Sequence, residues 1–127
     1  MAKRLEIDPD RNLILVEVGG TLAADEVLAL RERICADPLY RSGMNQIWDF
    51  SRVDDVEVAP ADLRAMIEQR TRGAFEQHVR CALVAPQDVA FGLGRMYEGL
   101  SNEPNLEIGV FRDRPSALEW LDSTEPQ

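Results

Sequence analysis

Asp49 and Ser51 are the residues whose types and spacing best suit a binding site in this sequence. They lie at the end of segment 45–49, which predicts a short buried strand. In an open α/β sheet, ligands and partners gather at the carboxyl ends of strands, facing helix N-termini. Asp49 can accept backbone N–H bonds and orient its loop, and Ser51 can donate. Gln87 and Arg112 end neighbouring strands and complete this candidate surface. The alternative is that Asp49 and Ser51 only hold the turn.

A metal site is the next possibility, because four carboxylates cluster here: Asp49, Asp54, Asp55 and Glu57. Mg²⁺ and Ca²⁺ prefer carboxylate oxygens, but their sites show tight loop spacing with a glycine turn, as in the EF-hand. That spacing is missing, so the sequence favours a solvated acidic loop without a metal. Nothing selects one carboxylate pair for glycoside hydrolysis either.

The single histidine, His78, has no obvious catalytic partner. A nucleophilic arrangement requires it to meet Ser51 or Cys81 in space. Cys81 lies on a predicted strand that points it into the core, and no Gly-x-Ser-x-Gly elbow is present. We therefore assign no catalytic residue and expect His78 in a loop. Cys35 and Cys81 are expected to be buried, reduced thiols with a structural role.

Gly92 and Gly94 resemble part of a dinucleotide-binding loop, but they lie inside a helical pattern and lack a third glycine at the required spacing. Close packing of that helix on the sheet or on a second subunit is the favoured interpretation. Phe91, Met96 and Tyr97 give the same helix a large apolar surface. Part of it is a candidate interface for a homodimer or a site for an apolar ligand.

Composition limits the classes of partner. At 127 residues and 45% hydrophobic residues, the chain has the size of one domain, 1–127, with a tail 123–127 that frays. Its net charge of −9 disfavours nucleic acid and anionic membrane and suits a basic partner protein. No apolar run approaches the ~20 residues of a membrane span, and no secretory signal is visible. We expect a cytoplasmic protein without a cofactor.

Hydrophobic patterns predict the element order β-β-α-β-α-β-α-β-α. The predicted strands cover residues 5–7, 13–18, 45–49, 80–85 and 106–111. The predicted helices cover 23–36, 60 to a stop at Gly73, 89–101 and 114–121. Gly19 and Gly20 are expected to end the second strand, and Thr21 to cap the first helix. Alternating strands and helices predict a mostly parallel sheet with an antiparallel N-terminal hairpin.

Helical spacing also predicts which side chains face the core. In the first helix the buried stripe holds Val27, Leu30 and Ile34. The residues expected to face away are Glu26, Arg31, Glu32 and Arg33. The later helices are expected to bury Leu63, Met66, Ile67 and Arg70, and then Ala117, Trp120 and Leu121. Asp113 is the predicted cap of the last helix.

This order, together with five segments, resembles the SpoIIAA-like STAS superfamily, and more closely its uncharacterised bacterial STAS/SEC14-type single-domain proteins. The segments are 19–22 (Gly-Gly-Thr-Leu), 47–53 (Ile-Trp-Asp-Phe-Ser-Arg-Val), 90–96 (Ala-Phe-Gly-Leu-Gly-Arg-Met), 109–113 (Gly-Val-Phe-Arg-Asp) and 117–121 (Ala-Leu-Glu-Trp-Leu). The resemblance implies a SpoIIAA-like α/β fold: a mostly parallel five-stranded sheet with an antiparallel N-terminal edge strand.

STAS domains of the anti-sigma-antagonist type are non-catalytic. They bind a partner kinase and are phosphorylated on a Ser or Thr just before the helix that follows the third strand. This sequence departs from that pattern, because no hydroxyl residue occurs from Asp54 to Arg70. One hypothesis makes Glu57 a permanent negative charge near the helix N-terminus. The alternative is an ordinary solvated loop carboxylate.

We therefore expect a non-catalytic binding or regulatory domain that acts by contact with a partner protein or a second copy of itself. The resemblance to SEC14-type proteins implies an alternative, a carrier with an apolar pocket for a lipid or other small hydrophobic ligand. A hydrolytic enzyme is the third class, and it would need a concave site with a perturbed carboxylate.

Overall fold

A computed structural model describes residues 3–71, 78–101, 103 and 105–123 of the chain. Helices alternate with strands after an N-terminal hairpin, as the sequence predicts. The strands are β1 (Lys3–Asp8), β2 (Leu13–Ala23), β3 (Asn45–Glu57), β4 (Val79–Val84) and β5 (Leu106–Phe111). The helices are α1 (Ala24–Ala36), α2 (Pro60–Thr71), α3 (Asp88–Leu100) and α4 (Arg114–Asp122).

The five strands form one sheet in the order β1-β2-β3-β4-β5. β1 is antiparallel to β2, and each later pair is parallel because a helix connects its two strands. In the hairpin turn, Asp8 Oδ1 accepts the N–H of Asp10 at 3.1 Å and that of Arg11 at 3.3 Å. The predicted mostly parallel sheet with an antiparallel N-terminal edge strand is confirmed.

β2 and β3 are longer than the sequence patterns predict. β2 continues past Gly19 and Gly20 to Ala23, and β3 continues past Asp49 to Glu57. Their added lengths pair with each other through two register shifts, one of them at Gly20, whose φ is 74°. A glycine accepts that dihedral without strain, so the strand bends at a bulge instead of ending. The prediction that these glycines end β2 was wrong, as was Thr21 as a cap, because α1 begins after Ala23.

The two faces of the sheet carry different helices. α1, α2 and α3 cover one face, where the larger core includes Ile14, Val16, Leu30, Trp48 and Met66. α4 covers the other face, where a smaller core is built from Ile47, Ala82, Val84, Ala117 and Leu121. Because side chains alternate along a strand, Trp48 faces the three helices, whereas its neighbours in β3 face α4.

Side-chain hydrogen bonds cap the starts of α4 and α2, whereas α1 and α3 begin without one. Asp113 Oδ1 accepts the N–H of Ser116 at 2.8 Å, which confirms the predicted cap of α4. Asp62 Oδ2 likewise accepts the N–H of Ala59 at 2.8 Å at the start of α2. The predicted helix stop at Gly73 and all of the predicted frayed tail beyond Ser123 lie outside the described residues.

Candidate functional site

The predicted strand-end cluster, defined as Asp49, Ser51, Gln87 and Arg112, is engaged in internal bonds. Asp49 is 6% exposed and accepts hydrogen bonds from Ser51, through both its backbone N–H and its hydroxyl. Its other carboxylate oxygen lies 2.8 Å from Nε of Arg114. Arg114 Nη2 also lies 3.0 Å from Oε2 of Glu17, the residue opposite Asp49 in β2. Asp49 therefore joins β2, β3 and α4.

The other two members of the strand-end cluster donate hydrogen bonds to nearby backbone carbonyl groups. Gln87 Nε2 donates to the carbonyl oxygens of Phe50 at 3.0 Å and Val53 at 2.7 Å, so it braces the extension of β3. Arg112 Nη1 donates to Pro86 O at 3.0 Å and pairs with Asp88 at 2.8 Å. These contacts suit structural bracing of the loops at this edge.

Burial raises the pKa of the Asp49 carboxyl, but hydrogen bonds from Ser51 and Arg114 outweigh burial and hold this pKa below its ordinary value. A lowered folded pKa contributes stability above the unfolded pKa of about 4, and that stability is lost as the pH falls through the folded pKa. We expect the free energy of unfolding to fall between about pH 5 and about pH 3. Urea titrations at each pH measure this fall. An equal fall in Asp49→Asn would contradict the assignment to Asp49.

The remaining polar candidates stand apart from this cluster. Glu57 is exposed at the end of β3, opposite Ala23, and its suggested role as a fixed charge stays a prediction. His78 is exposed and pairs with Oε2 of Glu107 at 2.6 Å; in the described part of the chain, no hydrogen bond joins it to Ser51. No group of three or more His, Cys, Asp or Glu side chains within the described ranges has the geometry of a metal site.

α3 has an inner and an outer side, and the predicted interface residues divide between them. Gly94 and Tyr97 are buried, with Tyr97 only 7% exposed. Phe91 is half-buried under the guanidinium of Arg112, which lies 3.9 Å from the ring centroid. Gly92 and Met96 lie on the outer side, where Met96 is 43% exposed. Gly94 packs closely on the sheet, since an added Cβ there would lie 3.0 Å from Val110, whereas Gly92 has open space, so its packing against a second subunit stays a prediction.

This difference in packing predicts different changes in stability for two alanine substitutions in α3. Gly92→Ala should raise the free energy of unfolding by about 0.5–1 kcal/mol, because alanine loses less backbone entropy and its methyl group meets open space. Gly94→Ala should give a smaller gain or a loss, since Val110 must move aside. Urea denaturation measures both. An equal gain at the two positions would contradict the difference in packing.

The most distinctive site is a cavity between the sheet and helices α1, α2 and α3. Its volume is about 390 Å³, and most of its wall is apolar. The space is open to solvent on one side, so it is a concave site that a small molecule can enter. The sheet contributes Trp48, Phe50, Cys81 and Leu83 to its floor, and the helices contribute Val27, Ile34, Leu63, Met66, Ala90, Leu93 and Tyr97.

Arg31 of α1 lies in the cavity wall and is the basic side chain among its described residues. Its Nη1 donates to Met66 O at 2.6 Å, and its Nη2 donates to the Tyr97 hydroxyl at 2.6 Å. Gln69, also in the wall, bridges α2 to α1 through a 3.1 Å hydrogen bond to Leu28 O. These bonds hold α1, α2 and α3 together around a polar corner of an otherwise apolar space.

The rim of the cavity includes Glu32 and Cys35, both exposed. The expectation that Cys35 is buried was therefore wrong, because Cys35 is exposed in the last turn of α1. Cys81 is half-buried although β4 is a central strand, because it borders the cavity. Burial raises the pKa of the Tyr40 hydroxyl in the same wall, and the neighbouring Cys35 raises it further.

The prediction that Arg31 lies on the solvent side of α1 was wrong, because Arg31 is half-buried in the cavity wall. The signal was available, because Arg31 is four residues after Val27 and three before Ile34, both of which are buried. That spacing puts Arg31 on the buried stripe. Glu26 is also half-buried instead of facing solvent, whereas Glu32 and Arg33 are exposed as predicted.

Comparisons with known proteins identify the fold. None of the protein-family models compared with the chain matches it, and neither does any curated protein. The structure is similar to the crystal structure of an uncharacterised protein of the DUF3478 family from Shewanella loihica PV-4, described as having a SpoIIAA-like fold. The similarity covers 94% of this chain and 92% of that one, with a TM-score of 0.58 and 17% sequence identity. The predicted SpoIIAA-like fold is confirmed. Among the described residues, no helix combines the length and apolarity that crossing a membrane requires.

Proposed function

We propose that this protein is a non-catalytic binding domain whose cavity takes up a small, mostly apolar molecule. The cavity of about 390 Å³ between the sheet and α1–α3 is the observation that carries the proposal. It lies within the range of about 300–1,000 Å³ that is typical of small-molecule sites. At about 30 Å³ per water molecule, the volume equals about a dozen waters, which suits a ligand with a short chain or one or two rings.

The wall of the cavity favours a ligand over bulk water as its occupant. Apolar side chains from seven elements of the described chain line most of it, and polar groups gather at the corner formed by Arg31, Gln69 and Tyr97. A mainly apolar wall with a few convergent polar groups is the usual composition of a ligand pocket. The half-buried state of Cys81 on a central strand supports the proposal, because a ligand in the cavity would cover this residue.

Trp48 in the cavity wall offers a direct test of uptake. Trp48 is the only tryptophan in a Trp120→Phe variant, because the chain contains two tryptophans. The neutral probe N-phenyl-1-naphthylamine should bind saturably and quench the fluorescence of Trp48. Native mass spectrometry of the freshly purified protein should also show any ligand that co-purifies.

A thiol experiment checks where the probe binds. In Cys35→Ser, the remaining thiol of Cys81 borders the cavity, and bound probe should slow its alkylation. In the matched Cys81→Ser protein, the exposed Cys35 at the rim should be protected less. Absence of saturable binding together with unprotected Cys81 would refute the proposed function.

A regulatory role through self-association is the second candidate, favoured by an exposed apolar stripe on α3. Val89, Met96 and Leu100 are 65%, 43% and 42% exposed and share one side of the helix at spacings of seven and four residues. Single exposed apolar residues are ordinary, but a stripe suits contact with a second copy of the chain. Light scattering should then show a dimer that Met96→Glu dissociates. A monomer at all concentrations would remove this candidate.

A further inference from the structure

We propose that the ligand of the cavity is an organic carboxylate, with an apolar body against the sheet and a carboxylate bound by Arg31. This inference rests on the proposed function and adds the charge of the ligand to it. The inference is carried by the juxtaposition of an apolar cavity with a guanidinium that has no acidic partner among the described residues.

Hydrogen bonds hold Arg31 in place and leave part of it available. Nη1 donates to Met66 O at 2.6 Å and to Gln69 Oε1 at 3.4 Å, and Nη2 donates once, to the Tyr97 hydroxyl. A guanidinium has five N–H donors in a rigid plane. In the described part of the chain, Nε–H and one Nη2–H have no acceptor. Nε and Nη2 lie on the same edge of the plane, and such an edge binds a carboxylate through two parallel hydrogen bonds.

The charge of Arg31 is not neutralised by the described part of the chain. No carboxylate there lies within 4.0 Å of its guanidinium, although the chain has 23 acidic and 14 basic residues. Arg80, Arg112 and Arg114 each pair with a carboxylate. Glu32, the acidic residue in the cavity wall, is exposed at the rim, where water screens its charge. A half-buried cation with neutral partners has lost hydration without an ionic contact, which a ligand carboxylate would restore.

The described residues of the cavity wall favour an anion with a single negative charge. Apart from Arg31, none of these described residues carries a basic side chain. A phosphate monoester carries close to two charges at neutral pH and would bury the second one against apolar side chains. A carboxylate brings one charge and matches the two-donor edge of Arg31. The body of the ligand then lies along Trp48, Leu83 and the helices above them.

Decanoate and its neutral, nearly isosteric analogue decanamide test the inference, with Trp48 fluorescence in the Trp120→Phe protein as the readout. Decanoate should bind at least about ten times more tightly than decanamide, since hydrogen bonds to charged groups are stronger than neutral ones. Arg31→Met should remove this preference and leave decanamide binding within about threefold of its original value. Arg31→Lys keeps the charge but loses the two-donor edge, so it should retain part of the preference.

Arg33→Met is the matched control, because Arg33 lies on the same helix but is exposed and outside the cavity wall. It should leave the ratio of the two affinities unchanged. Equal binding of decanoate and decanamide to the starting protein would overturn the carboxylate inference while the proposed function stands. Failure of decanoate, decanamide and the neutral naphthylamine probe alike would overturn both. Even if Arg31→Met does not fold, the ratio of the affinities for decanoate and decanamide in the starting protein tests the preference for a carboxylate.

Discussion

Arg114→Met is expected to lower the free energy of unfolding at neutral pH by about 2–4 kcal/mol, because it leaves the buried carboxylate of Asp49 without its cation. Arg114 Nε and Nη2 lie 2.8 and 2.7 Å from Asp49 Oδ2, and the Asp49 side chain is 8% exposed. Arg114 itself is 36% exposed, which keeps the expected loss below that of a fully buried pair. Urea denaturation followed by tryptophan fluorescence measures the loss.

Arg112→Met is the matched control for this prediction. Arg112 also forms an ion pair, but its partner Asp88 is 94% exposed, so the loss should stay below about 1 kcal/mol. The double variant Asp49→Asn/Arg114→Met should recover part of the stability lost in Arg114→Met, since no buried charge remains unpaired. Equal losses in the two arginine variants, or no recovery in the double variant, would contradict a dominant role for the burial of Asp49.

The loss of stability expected for Arg114→Met bears on the function of the strand-end cluster. A carboxylate that binds an external partner must be free to exchange its contacts, whereas Asp49 already accepts hydrogen bonds from Ser51 and Arg114. Gln87 similarly donates to backbone carbonyls of β3. The alternative stated for Asp49 and Ser51, that they hold the turn, agrees with these contacts. A large loss in Arg114→Met would support a structural role for the pair.

The fold could be predicted from the sequence because its signals are local. Alternation and helical spacing give the elements, and single residues such as Pro60 and Asp113 mark where helices begin. The added lengths of β2 and β3 depend on pairing between segments about thirty residues apart, as between Leu22 and Val56. Gly20 could equally end a strand or bend it, and only that pairing decides between them.

The cavity could not be predicted in the same way, because a void is a property of the distances between elements. Leu63, Met66 and Leu83 have the pattern of ordinary core residues whether or not a space lies beside them. The resemblance to SEC14-type proteins implied an apolar pocket but named no residues. Two local clues existed: Tyr97 of α3, predicted as part of a candidate site for an apolar ligand, lies in the cavity wall, and Arg31 is a basic residue on the buried stripe of α1. Such a residue needs either a partner or a ligand, because burying an unpaired charge is costly.

Filling the cavity should abolish uptake of the ligand without harming the fold. Cys81→Phe adds an aromatic ring at the cavity floor, on a strand held by β3 and β5 on both sides. We expect affinity for the neutral naphthylamine probe to fall by at least about a hundredfold, because the ring removes the space that the probe needs. The melting temperature should stay equal or rise, since filling a cavity replaces a void with packed contacts.

Ala65→Phe is the matched control, because it adds the same ring at an exposed position of α2 outside the cavity wall. Its affinity for the probe should equal that of the starting protein. If Cys81→Phe proves too large for the space, Ala90→Leu narrows the same cavity from α3 with a smaller side chain. A stable, folded Cys81→Phe protein that still binds the probe at full affinity would place the binding site elsewhere. Retained stability with lost binding would tie the function to the space between the sheet and the three helices.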